Sequence, residues 1–100
     1  MKYRFHPEAA SEYEDAARYY ARQTPGLEIR FIECVEAAVA GVADSPSQWA
    51  LFEDDVRRCL VHVFPYAVLY TIEADEILIV AIMHCSREPG YWHVRIEEGR

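Results

Sequence analysis

Ile77-Leu78-Ile79-Val80-Ala81-Ile82-Met83-His84 carries seven apolar side chains in succession before its first polar one. A run this short and this apolar reads as a strand covered on both faces, the middle of a sheet. Working outward, Glu73-Ala74-Asp75-Glu76 is a turn, and Ala67 to Ile72 is a second strand running back along the first. Pro65-Tyr66 marks a tight connection to a third. From Val56 to Phe64 the residues alternate, with Cys59, Val61 and Val63 on one face and Arg58, Leu60 and His62 on the other.

The first half of the chain changes period. Lys2-Tyr3-Arg4-Phe5-His6 alternates as a short strand, and Pro7 suits the first position of a helix, where its missing N–H costs nothing. Ala10, Tyr13, Ala17, Tyr20 and Ala21 recur at helical spacing, with acids opposite, Glu12 and Asp15 among a solvated set. Gln23-Thr24-Pro25-Gly26 breaks that helix, and Thr24 is the expected cap of the next. Leu27, Phe31, Cys34, Val35, Ala38 and Val42 form a second stripe that ends at Asp44-Ser45-Pro46. Trp49 and Phe52 follow in a loop that they pin to the core.

These elements predict one α+β domain over residues 1–100. It has an N-terminal strand, an antiparallel two-helix hairpin on one face, and a small, twisted, antiparallel-rich sheet. The face opposite the hairpin is then the natural concave surface.

With 52% apolar residues the chain has material for a core. Cys34, Cys59 and Cys85 are an odd number without ligand-knuckle spacing, so reduced thiols are expected rather than a disulfide framework or a metal site. No Gly-rich phosphate loop or calcium loop is present, and no cofactor is expected. The N-terminal residues show no export signal, and no run approaches the roughly 18 apolar residues of a membrane span. A cytoplasmic protein is the expectation.

The net charge is −7, unevenly spread. His6 to Asp55 holds eleven acids against Arg18, Arg22 and Arg30, a field that opposes nonspecific binding to nucleic acid. Beyond the last strand the character changes. His84-Cys85-Ser86-Arg87-Glu88-Pro89-Gly90-Tyr91-Trp92-His93-Val94-Arg95 crowds arginines, histidines and aromatic rings into one corner, which is the expected working surface.

The chain closely resembles the RelE/ParE superfamily, small bacterial toxins of type II toxin–antitoxin systems, also called plasmid stabilisation proteins. The resemblance rests on Phe5-His6-Pro7-Glu8-Ala9, Glu12 to Tyr20, Phe31 to Val35, Pro46 to Trp49, Val56-Arg57-Arg58, Phe64 to Tyr70 and His84 to Trp92. It implies a growth inhibitor neutralised by a cognate antitoxin, in a heterotetramer or a higher complex. Relatives act in two ways: RelE-like members cut mRNA on the ribosome, and ParE-like members poison DNA gyrase. A third reading is a catalytically silent module in an inert complex.

For RNA cleavage, the 2′-hydroxyl must be deprotonated, the phosphoryl charge offset and the leaving oxygen protonated. The resemblance places Arg87 at the post-strand arginine, able to clamp a phosphate, and Tyr91 near the family's tyrosine. Trp92 is a candidate for base stacking, Arg58 and Arg57 for RNA or partner contacts, and His62 with His84 for an acid–base pair. The middle of the pattern departs from RelE. Ala67 stands where an arginine belongs, and Glu53, Asp54 and Asp55 replace lysines.

Overall fold

A computed structural model describes residues Met1–Arg100. In chain order the elements are β1 (Tyr3–Phe5), α1 (Pro7–Gln23), α2 (Leu27–Asp44), β2 (Leu51–Glu53), β3 (Val56–Leu60), β4 (Tyr66–Ile72), β5 (Ile77–His84) and α3 (His93–Gly99). The five strands form one sheet in the order β1-β5-β4-β3-β2. β1 pairs parallel to β5, and the other neighbours are antiparallel. The α+β class, the N-terminal strand and the helical hairpin are as the sequence predicts. Two elements are additional: the short edge strand β2 and the C-terminal helix α3.

α1 begins at Pro7, and His6 caps it, its Nδ1 accepting from the Glu8 N–H at 3.0 Å. The buried face of α1 centres on Ala9 and Ala16, one residue earlier along the helix than the expected stripe. Tyr13, Ala17 and Tyr20 sit half-buried at its flank. Thr24 closes α1 instead of opening α2: its N–H donates to the Tyr20 carbonyl at 3.1 Å. The cap of α2 is Gly26, at φ 92°, a left-handed conformation that costs glycine little. From there Phe31, Val35, Ala38, Val39 and Val42 face the sheet.

β5 lies inside the sheet, between β1 and β4, and is buried along its length except at His84, as an apolar strand with both faces covered must be. Its pairing with β4 slips between Leu69↔Ala81 and Tyr70↔Ile79, leaving Val80 as an extra, bulged residue. The bulge resets the alternation. Ile77, Ile79 and Ile82 join the core beneath the helical hairpin, whereas Leu78, Val80, Ala81 and Met83 join a second cluster on the opposite face.

That second cluster corrects one expectation. The face opposite the hairpin is not an open concavity, because Trp92 is buried to 1% exposure and packs there with Val56, Ala67 and Leu69. α3 is held over this face by polar ties at its end. Glu98 bonds His6 Nε2 at 2.8 Å, Arg4 donates to the Gly99 carbonyl, and Arg100 reaches Glu73 and Asp55.

On the other side, Tyr70 donates its hydroxyl to the Pro46 carbonyl at 2.6 Å, and Arg57 bonds the Trp49 carbonyl at 2.6 Å. These bonds and the half-buried Trp49 fasten the α2–β2 connection to the core, as expected. Phe52 differs: it lies in β2, partly exposed. Val63 also departs from the expected inward face. β3 ends at Leu60, and Val63 takes a positive φ of 72° with its side chain in solvent.

Candidate functional site

An open cleft of about 320 Å³ lies between α1 and the ends of β4 and β5. Glu12, Asp15, Ala16 and Tyr19 line it from the helix, Tyr66, Ile82 and His84 from the strands, and Arg87 and Tyr91 from the segment after β5. It therefore opens on the hairpin side of the sheet, not on the face where sequence reasoning sets the working surface.

Glu12 is the hub. β1 stops pairing with β5 at Phe5↔Ile79, so the next polar groups along that edge of β5 need other partners. Glu12 Oε1 accepts from the Ile82 N–H at 3.1 Å, and Arg95 Nη1 donates to the Val80 carbonyl at 3.1 Å. The two side chains also pair with each other, at 2.9 Å from Nη1 to Oε1 and 3.1 Å from Nη2 to Oε2. Together they take the place of an absent strand. Tyr91 adds its hydroxyl, donated to Glu12 Oε2 at 2.7 Å. Burial, then this bond and the Glu12 charge, push the Tyr91 phenol well above its ordinary value, so it stays a neutral donor.

Arg87 stacks on that ring, its Cζ 3.8 Å from the Tyr91 centroid, and Arg95 Cζ stands 5.0 Å from the same centroid. Glu88 is the carboxylate bonded to Arg87, at 3.3 and 3.4 Å in solvent. Gly90 makes the turn that returns Tyr91 to the cleft, at φ 80°. His84 lies edge-on to Tyr66, ring centroids 5.1 Å apart, and its Nδ1 accepts from the Ser86 N–H at 3.0 Å. In the neutral ring the proton therefore sits on Nε2.

Arg87, Tyr91 and His84 are thus brought together. The remaining candidates are not. His62 is exposed in the β3–β4 connection, outside the cleft lining. Arg58 points to the α3 side of the sheet, its Cζ 4.7 Å from the Phe52 ring centroid. Arg57 is engaged with the Trp49 and Ser47 carbonyls. Trp92 has its ring in the second core, where it has no face free for a base. Sequence reasoning misses Glu12, assigned there to a solvated acidic face, and Arg95. Glu12 stands three residues after Ala9 and four before Ala16, a spacing that puts it on the buried side of α1.

Sheet order, hairpin and cleft together define a RelE/ParE-type domain. The family model described as ParE toxin of type II toxin-antitoxin system, parDE, matches residues 3–89, and the chain belongs to that family. A solved structure titled chromosomal ParDE TA system from P. aeruginosa is similar in fold, with a TM-score of 0.75. Its sequence identity is 17%, over 84% of this chain and 95% of that one. No curated protein matches the sequence. Tyr91, Trp92 and α3 lie beyond the span of the family match. No helix is long and apolar enough to cross a membrane.

Proposed function

We propose that the protein is the growth-inhibiting half of a toxin–antitoxin pair and that it acts on DNA gyrase, in the cytoplasm, rather than by cutting RNA. A cognate antitoxin neutralises it in a heterotetramer or a higher assembly. Membership of the ParE toxin family supports the general reading. The choice of target rests on how the groups that RNA cleavage needs are dispersed.

Cleavage by an imidazole pair needs two histidines across one phosphate, with cations to offset developing charge. Here only His84 of the candidate pair lines the cleft. Arg58 belongs to the far side of the sheet, and the buried Ala67 supplies no cation. Arg87 is the one cleft arginine with a solvent-facing guanidinium, and Glu12, Asp15 and Glu88 stand around it. A phosphate chain would enter against that field. A protein target carries no such linear density of charge.

Supercoiling by purified gyrase tests the reading. The protein, added without its antitoxin, should block supercoiling and leave DNA cleaved in the gyrase complex, and the antitoxin should restore activity. Unimpaired supercoiling at a toxin excess would refute the proposal.

A further inference from the structure

The cleft has an unbalanced inventory of hydrogen-bonding groups. Its buried acceptor is spent, since Glu12 already takes Ile82 N–H, both Arg95 nitrogens and the Tyr91 hydroxyl. Its donors are not. With Nδ1 occupied by Ser86 N–H, His84, which lines the cleft, keeps an Nε2–H without a partner in the protein. Arg87 lies on the Tyr91 ring, and its one carboxylate partner is the exposed neighbour Glu88, a contact of the kind that contributes little in water. The two residues belong to one tight turn, the Arg87 N–H donating to the His84 carbonyl at 2.9 Å. Apart from Glu12 and the exposed Asp15, the rest of the wall is apolar: Ala16, Ile82 and the rings of Tyr19, Tyr66 and Tyr91.

We propose that this cleft receives a carboxylate carried on an apolar segment of a protein partner, held by the Arg87 guanidinium and His84 Nε2–H between the Tyr19 and Tyr66 rings. A carboxylate is planar with two oxygens and matches the guanidinium fork. It brings a single charge near Glu12 and Asp15, whereas a nucleic-acid backbone brings many. The aromatic walls favour an occupant that is apolar next to its charge. In a ParE-type toxin the antitoxin is the protein partner in question. The inference rests on the reading that the cleft does not cut RNA.

The test uses the full-length isotope-labelled protein and three probes: N-acetyl-leucine, its uncharged amide, and inorganic phosphate. Nuclear magnetic resonance follows the His84 ring and the Arg87 side chain. N-acetyl-leucine should shift both signals saturably, with the amide and the phosphate each binding at least about tenfold more weakly. Arg87→Gln should weaken N-acetyl-leucine by a similar factor while signals away from Tyr91, Glu88 and the cleft stay unchanged. An amide that binds as well as the acid, or no saturable shift at all, would overturn the inference. Phosphate binding as tightly as the acid would overturn it too, and would point to a nucleic-acid ligand. Gyrase inhibition by the wild-type protein is measured in parallel. Its loss strikes the proposed function, and failure of the titration alone strikes only this site.

Discussion

Glu12 and Arg95 stand 83 positions apart in the chain, yet they form a two-bond ion pair whose side chains are only 17% and 11% exposed. The pair joins the first helix to the last across the edge of β5. Removing one partner leaves the other charge poorly solvated, at a cost of about 3–5 kcal/mol. Glu12→Ala also strips the acceptor from Ile82 N–H and Tyr91 Oη. Urea unfolding should show Glu12→Ala losing stability in that range. Glu12→Ala with Arg95→Ala should lose clearly less than the sum of the two single changes. Strict additivity would mean that the pair is not coupled.

Trp92 is buried although it lies in a segment that reads as a ligand surface. Trp92→Ala should cost about 3–5 kcal/mol, as for a large core aromatic. Val94→Ala, at a site 59% exposed, should stay within about 0.5 kcal/mol. Equal small effects in urea unfolding would show that α3 does not hold the second core together.

Gly26 starts α2 at φ 92° with open space where a Cβ would stand. Gly26→Ala therefore meets backbone strain and no clash, and should lose about 1–2 kcal/mol. Unchanged stability would place the residue outside the left-handed region.

High pH should unfold the protein early. Burial raises the phenols of Tyr13, Tyr20, Tyr66 and Tyr91, and that of Tyr70 to about 12, from an ordinary value of 10.0. A phenol with a raised folded value keeps its proton longer when folded, so above the unfolded value the native state binds more protons. The stability these groups provide is thus fully present below the unfolded value. It falls as pH rises through the folded ones. Urea midpoints should decline above that point, and Tyr70→Phe should lessen the decline. A flat profile would contradict the burial.

Periodicity reveals the hairpin and the long strands because their buried positions are apolar at regular spacing. The bulge at Val80 is invisible for the opposite reason: in a continuous apolar run every register looks alike. α3 is hidden because its buried side is built from Trp92 and Arg95 rather than from a repeating apolar stripe. β2 is three residues long and gains its partner only through β3. Arg87, Tyr91 and His84 are legible as a group because they follow one strand closely. Strict alternation would put Arg58 and His62 on one face, but β3 ends at Leu60 and His62 falls in the connection, and alternation does not say which face the cleft takes.

The most direct test is induction of the toxin in a bacterial host without its antitoxin, with DNA breaks and RNA ends sequenced from the same arrested cells. Double-strand breaks at gyrase sites, with mRNA intact, are the predicted result. New mRNA ends at ribosome-protected positions without DNA breaks would contradict the account.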